Sequence, residues 1–446
     1  MGILFGTDGI RGVAGEFLDG LLAFRVGQAA ACVLCERLQH KARIYIGKDS
    51  RVSSDMLEAA LAAGVASVGA DAVLLGLIPT PAVAFLTAAE ADAGVVISAS
   101  HNAYEHNGIK IFGAQGYKLS DELEAAVENL VLSGRPMPQA MFADIGRVMS
   151  DEGAAARYVD HLVGAVETDL SGLRVAVDCA NGAASRTAGA LLSRLGVHYT
   201  LLSDAPDGRN INDRCGSTHM EALSARVRAG GFDLGVAFDG DADRCLAVDE
   251  TGRVIDGDQI MAVCGLEEKA QGRLTGDTIV ATVMSNLGFH LFAREHGLHV
   301  ETAAVGDRSV LERMLPSGFV LGGEQSGHLI FLRHATTGDG QLTALRFMGA
   351  AANAGLPVSH LLSGFRQYPQ VLINVRVRQD MKKALSGHPD VSEAIRRAEE
   401  TLAGDGRILV RPSGTEPLVR VMVEGREEAT VQSLAESIAA VISRVG

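Results

Sequence analysis

The sequence predicts three similar α/β domains with mixed sheets, followed by a C-terminal α+β domain, around a central cleft. Three observations carry that expectation. The chain has 446 residues, which at roughly 150 residues per domain suits three domains or four smaller ones. One pattern occurs three times, at spacings of roughly 100–130 residues, far beyond the 20–50 of a solenoid repeat. After the third copy the order of elements changes, and the tail reads strand, helix, strand, strand, helix.

Each copy of the pattern is a β-branched strand, a polar turn, a helix of about three turns, a Gly stop and a second strand. The first runs from Arg43-Ile-Tyr-Ile-Gly-Lys-Asp-Ser-Arg51 through an Ala/Leu-rich helix over 55–69 to Asp71-Ala-Val-Leu-Leu-Gly76. The second runs from Leu173-Arg-Val-Ala-Val-Asp-Cys-Ala-Asn-Gly182 through a helix over 188–195 to Gly196-Val-His-Tyr-Thr-Leu-Leu202. The third runs from Thr278-Ile-Val-Ala-Thr-Val-Met-Ser-Asn286 through a helix ending at His296 to Gly297-Leu-His-Val-Glu-Thr-Ala303. Continuous apolar strands of this kind belong to parallel βαβ units, whose strands are buried on both faces. In the tail, Tyr368-Pro-Gln-Val-Leu-Ile-Asn-Val-Arg-Val377 alternates as an exposed strand does. A helix over 391–403, strands over 407–411 and 418–424 and a final helix complete an α+β domain. Junctions rich in Gly, Pro and Met fall in 133–153 and 363–369. The expected domains are therefore 1–155, 156–255, 256–367 and 368–446.

Composition narrows the function. Hydrophobic residues make up 47% and charged residues 21%, which excludes disorder, collagen-like repeats and a disulfide scaffold. The net charge is −14, which disfavours a nucleic-acid backbone as partner. Aromatics are only 4%, with no Trp, too few for stacking on single strands. There are 52 glycines where average usage would supply about 31, as turns and close backbone approaches to phosphate require. The six cysteines are scattered, and only Cys32 and Cys35 are neighbours, read as two small buried residues on a helix. The N-terminal Met-Gly-Ile-Leu-Phe-Gly-Thr lacks the charged start and apolar core of a signal peptide. No uncharged apolar window approaches 18 residues. A cytoplasmic, reduced protein away from membranes is expected.

Four strings carry chemistry. Gly94-Val-Val-Ile-Ser-Ala-Ser100-His101-Asn102 runs from a buried strand into a turn with an exposed serine. An isolated serine there would be a helix N-cap, and the G-x-S-x-G elbow of serine hydrolases is absent. The third reading, a serine that itself carries a phosphoryl group, gains weight from the strings that follow. Leu234-Gly-Val-Ala-Phe-Asp239-Gly-Asp241-Ala-Asp243-Arg244 sets three carboxylates at i, i+2 and i+4 after a strand. Carboxylates about 5 Å apart repel by about 3 kcal/mol at an effective dielectric of 20, so such a cluster normally holds a hard divalent cation. An EF-hand fits Asp239, Asp241, Asp243 and even Glu250, but its sixth position is Arg244 instead of Gly, and strands flank the loop. Few ligands beside an Arg favour Mg²⁺ completed by a phosphate oxygen. Arg411-Pro-Ser413-Gly414-Thr415-Glu416-Pro417, with Arg420, offers two hydroxyls, amide donors and two guanidinium groups, a set suited to a dianionic phosphate. Gly322-Gly-Glu324-Gln-Ser326-Gly-His328 presents a carboxylate, a hydroxyl and an imidazole on a Gly-rich turn, suited to a polyol or amino sugar.

These strings, with Phe5-Gly-Thr-Asp-Gly-Ile-Arg11-Gly and Asn107-Gly-Ile-Lys110, resemble the α-D-phosphohexomutase family across essentially the whole chain. Val283-Met-Ser-Asn286 and Val305-Gly-Asp-Arg308 are similar to its glucosamine branch. The resemblance implies that Ser100 is phosphorylated and that Asp239, Asp241 and Asp243 hold one Mg²⁺ per chain together with the group on Ser100. It sets Lys110, Arg11, Arg244 and His101 around the transferring phosphoryl. Glu324, Ser326 and His328 would meet the sugar, and Arg411, Ser413, Gly414, Thr415 and Arg420 the distal phosphate. The implied reaction interconverts glucosamine 6-phosphate and glucosamine 1-phosphate through a 1,6-bisphosphate intermediate, for UDP-N-acetylglucosamine and cell-wall precursor synthesis. The implied partners are small phosphosugars, with a homodimer open to it. Two departures stand out: Ala103 where the family usually has Pro, and Ala242 where Gly is common. A phosphoglucomutase or phosphomannomutase shares this chemistry, and a non-catalytic phosphosugar-binding protein would need neither nucleophile nor metal.

Overall fold

The computed structural model describes residues 3–6, 8–36, 38–378, 380, 387–413 and 417–446. Among these the strands form four sheets. The chain divides into two compact units, Met1–Met284 with Leu298–Ser363, and Ser285–Gly297 with Gly364–Gly446.

The larger unit contains three sheets. The first has seven strands in the order Phe5–Gly6, Gly9–Val13, His106–Gly113, Ala93–Ile97, Arg43–Lys48, Asp71–Leu77 and Val148–Ser150. Arg43–Lys48 pairs in parallel with both Asp71–Leu77 and Ala93–Ile97, whereas His106–Gly113 joins antiparallel. Ile44, Ile46, Val95 and Ile97 of the central strands pack with Leu57, Leu61 and Val65 of the Val52–Ser67 helix. Part of the expected junction over 133–153 is itself a strand. Val148–Ser150 adds in parallel to Asp71–Leu77 and satisfies backbone groups that the edge would otherwise expose.

The second sheet runs Val254–Ile255, Cys245–Asp249, Leu234–Phe238, Arg174–Asp178 and His198–Leu202, and the third runs His299–Ala303, Thr278–Thr282, Leu321–Gly323 and Leu329–Phe331. All three expected copies of the repeat pair their two strands in parallel. The third copy differs in its helix, because Leu287–Glu295 clusters with the C-terminal unit. Asn286 caps this helix at Gly288 N, and its amide donates to Tyr368 O at 2.9 Å and to buried Glu424 at 3.2 Å. Cys32 and Cys35 end the Gly20–Cys35 helix half-buried instead of buried, and burial pushes the Cys35 thiol up to about 12.

In the smaller unit Leu418–Gly425 lies between Gln370–Arg376 and Gly406–Pro412, antiparallel to both. Val419, Val421 and Val423 pack with Val431, Ala435, Ile438 and Ile442 of the Glu428–Val445 helix. With Pro389–Leu402 as the other helix, the order is the expected strand, helix, strand, strand, helix.

Candidate active site

Two strands of different sheets deliver the central groups. Ala93–Ile97 ends in the turn that carries Ser100, and Leu234–Phe238 ends in the acidic loop, which returns as the antiparallel strand Cys245–Asp249. The Ser100 hydroxyl donates to Asp239 Oδ2 at 2.6 Å and lies 3.3 Å from His101 Nδ1. The expectation of an exposed serine is corrected here, since Ser100 is buried. Gly240 explains the close approach: a Cβ there would lie 2.6 Å from the Ser100 carbonyl oxygen. Ser100 has φ +53° and starts no helix, so it is not an N-cap.

Asp239, Asp241 and Asp243 are all buried, with one oxygen from each within 4.8 Å of the others. Lys110 on the His106–Gly113 strand donates to Asp241 Oδ2 at 2.7 Å and to Asp243 Oδ2 at 3.3 Å, and it lies 3.3 Å from Asp8. Thr80 donates its hydroxyl to Asp241 Oδ2 at 2.7 Å, and its N–H to the Asp241 carbonyl at 2.9 Å. The Oδ1 atoms of Asp241 and Asp243 are buried without a hydrogen-bond partner. Orphaned buried carboxylate oxygens are costly, and hard oxygen donors of this kind fit a divalent cation such as Mg²⁺.

Charge separates the members of this cluster. Burial, and then Asp243 and Asp241, push the Asp239 carboxyl well above its usual range. Burial acts the same way on Asp243, but Lys110, His328 and Arg244 hold that carboxyl well below it. Burial would lower Lys110, yet Asp241, Asp8 and Asp243 raise it well above an ordinary lysine, so it stays charged. Burial, then Arg244 and Arg11, pull His101 down to about 4 and keep its ring neutral near pH 7. Arg244 Nε is 3.8 Å from Asp243 Oδ1, and its backbone N–H donates to Asp239 Oδ1 at 3.1 Å. Arg11 pairs with Asp8.

The third sheet contributes the Glu324–His328 turn between Leu321–Gly323 and Leu329–Phe331. Glu324 accepts from Gly306 N at 3.0 Å, and Ser326 is exposed. His328 is buried, accepts the Gly338 N–H on Nε2 at 3.1 Å, and lies 3.6 Å from Asp243 Oδ2 through Nδ1. In the smaller unit, Arg411 and Arg420 are direct cross-strand partners and so share one face of the sheet. Ser413 is buried, and its N–H donates to the Leu418 carbonyl at 2.9 Å. Gly414 and Thr415 lie outside the described residues.

Several buried or half-buried charged groups were not singled out from the sequence. Asp8 and Asp307 share Lys118, which thereby joins the first sheet's loop to the third sheet's helix Asp307–Ser317. Arg51, with Asp49, lies behind the Ser100 turn. All but Lys118 stand inside quoted strings, but only packing reveals them; for Asp49 and Arg51, the Asp-x-Arg at the end of a buried strand was the available signal.

Four family models match in order, namely phosphoglucomutase/phosphomannomutase alpha/beta/alpha domain I over 2–136, domain II over 156–252, domain III over 256–368 and the C-terminal domain over 372–441. The phosphoglucosamine mutase of Desulforudis audaxviator is 53% identical over 447 residues, covering 100% of this chain and 99% of the relative. That of Acetivibrio thermocellus is 50% identical over 444 residues, covering 99% of both. A phosphoglucomutase/phosphomannomutase family protein from Burkholderia thailandensis superposes with a TM-score of 0.80 at 24% identity, over 99% of this chain and 97% of its own. Aspergillus fumigatus N-acetylphosphoglucosamine mutase, solved in complex with GlcNAc-6P and magnesium, superposes at 0.72 with 18% identity, over 100% of this chain and 96% of its own. Matched over all four domains and by relatives of its own length, the chain belongs to the phosphoglucomutase/phosphomannomutase family.

Proposed function

We propose that this enzyme interconverts glucosamine 6-phosphate and glucosamine 1-phosphate, with Ser100 as the carrier of the phosphoryl group. The observation that carries the mechanism is the 2.6 Å contact of the Ser100 hydroxyl with Asp239 inside the three-carboxylate cluster. The sugar follows from the activity named for the relatives at 53% and 50% identity.

In the first half-reaction the phosphorus–Oγ bond of phospho-Ser100 breaks and a bond to O1 of glucosamine 6-phosphate forms, giving the 1,6-bisphosphate. In the second, the reoriented intermediate returns its 6-phosphoryl to Oγ and leaves as glucosamine 1-phosphate. Such transfer depends on position and charge more than on covalent help from the protein. Lys110, held cationic by three carboxylates, and Arg244 and Arg11 neutralise the moving phosphoryl oxygens. The neutral His101 ring, 3.3 Å from Oγ, can hold the proton that enters or leaves the hydroxyl. Asp239, Asp241 and Asp243, with a phosphoryl oxygen on Ser100, would hold Mg²⁺, which when bound supplies positive charge to the transferring group. Glu324, Ser326 and His328 orient the sugar ring. Arg411 and Arg420, side by side on one sheet face, would grip the distal phosphate of the sugar together with Ser413, Gly414 and Thr415, guanidinium groups being suited to bidentate contact with phosphate oxygens. No described helix is long and apolar enough to cross a membrane, and we assign the enzyme to the cytoplasm, a homodimer being one assembly open to it.

The test is incubation of the purified protein with glucosamine 6-phosphate, Mg²⁺ and a trace of the bisphosphate, following glucosamine 1-phosphate. Faster turnover of glucose or mannose phosphates would make it a phosphoglucomutase or phosphomannomutase. Binding without turnover of any of the three would make it a phosphosugar-binding protein.

A further inference from the structure

We infer that Arg51 is a positioning residue for the nucleophile: its buried guanidinium, seconded by the Asn212 amide, holds the Ser100 turn in a left-handed conformation and so aims Oγ at the acidic loop. This deepens the reading above and rests on Ser100 as the phosphoryl carrier.

Ser100 adopts φ +53°, a region that residues other than Gly, Asn and Asp enter rarely. Something must hold it there, and the hydrogen bonds show what. A guanidinium has five N–H donors in a rigid fork, and every one of them is used. Nε donates to Asp49 Oδ2 at 2.9 Å. Nη1 donates to Asn102 O at 3.1 Å and Ala103 O at 3.0 Å, and Nη2 to Ser100 O at 2.8 Å and Asn102 O at 2.9 Å. Three carbonyls of one turn therefore converge on a single planar cation whose side chain is fully buried. Asp49 is itself fixed, since its Oδ1 accepts the Arg51 N–H and the Ser54 hydroxyl at 3.1 Å each.

The second grip comes from the neighbouring sheet's loops. Asn212 Nδ2 donates to Ser100 O and Asn102 O, both at 3.0 Å. Below the turn, the Ser98 hydroxyl accepts the Ser100 N–H at 2.9 Å. The Ser100 backbone is thus held at its N–H and doubly at its carbonyl, which leaves the hydroxyl to Asp239 and His101. No hydrogen bond or ion pair runs from Arg51 to Oγ or to an acidic-loop carboxylate, so it acts through the backbone of Ser100 and not on the reacting atoms.

Lysine cannot replace this fork, because a point ammonium on a flexible stem can keep the charge opposite Asp49 but cannot span three carbonyls. A displacement of about 1 Å at a reacting atom costs on the order of 10²-fold in rate. Arg51→Lys should therefore lower kcat about 100-fold while KM for glucosamine 6-phosphate stays within about twofold, since no proposed sugar contact changes. Asn212→Ala, which leaves no buried charge unpaired, should lower kcat by roughly 5- to 10-fold with KM again unchanged. The phosphate on Ser100, followed by intact mass, should be lost to water faster in both variants than in wild type. In Arg51→Ala, millimolar guanidinium should restore part of kcat where tetramethylammonium does not.

A wild-type kcat in Arg51→Lys overturns the positioning role. So does a loss of rate in Arg51→Lys that only follows the folded fraction, with no guanidinium rescue of Arg51→Ala and an unaffected Asn212→Ala. Wild-type protein without phosphate on Ser100 and without mutase turnover would instead reject the function itself, and the role of Arg51 with it.

Discussion

Lys110 donates to Asp241 at 2.7 Å with both side chains withdrawn from solvent, so a strand of the first sheet neutralises the acidic loop of the second. The contact spans 131 residues of sequence. Removing one member of a buried ion pair costs about 3–5 kcal/mol, mostly because the other is left unpaired. Lys110→Met should therefore melt well below wild type in EDTA and recover much of the difference in Mg²⁺, which takes over the neutralisation, while turnover falls by orders of magnitude. Equal melting temperatures of the two proteins in EDTA would refute the charge argument.

Ser100→Ala removes the only oxygen that can carry the phosphoryl group in the proposed reaction, and one hydrogen bond to Asp239. Mutase activity should vanish, intact mass should show one phosphate on wild type and none on the variant, and stability should change by about 1 kcal/mol. Full activity in the variant would reject the carrier role.

His101 should not titrate within the working range. Its folded value, pulled down to about 4 by burial and by Arg244 and Arg11, lies below that of an unfolded histidine. The neutral ring is therefore the form the fold prefers; the stability it contributes is complete above about pH 6.5 and is lost as pH falls through about 4. His101→Gln should lower kcat/KM without altering the shape of the pH profile between pH 5 and 8. A histidine step near pH 6.5 that disappears in the variant would contradict this.

Arg411→Ala should weaken glucosamine 6-phosphate and the bisphosphate alike, because the proposed role has Arg411 grip the non-reacting phosphate in both half-reactions. Loss of a charge-assisted contact costs about 1.5–3 kcal/mol, or roughly 10- to 150-fold in kcat/KM. The phosphate already on Ser100 should be retained. Unchanged kinetics at wild-type melting temperature would reject Arg411 as a phosphate ligand.

Local pattern was enough for much of this protein. Hydrophobic continuity and Gly stops marked three parallel β-α-β units, because secondary structure and parallel burial are imposed by neighbouring residues. The Asp239–Asp243 spacing marked a carboxylate cluster, since alternate residues leaving one strand remain close whatever the rest of the chain does. What folding decided lies between strings. Ser100 reads as exposed in its own turn and is buried only because Gly240, 140 positions later, lets the second sheet's loop close on its carbonyl. The Leu287–Glu295 helix belongs by pattern to the third repeat, yet Asn286 and Glu424 tie it to the C-terminal unit. Arg51 looks like any polar residue after a strand until three carbonyls from positions 100–103 converge on it. Periodicity records which face of its own element a residue occupies; which groups a buried charge will meet is set by packing between elements, where desolvation makes each missing partner costly.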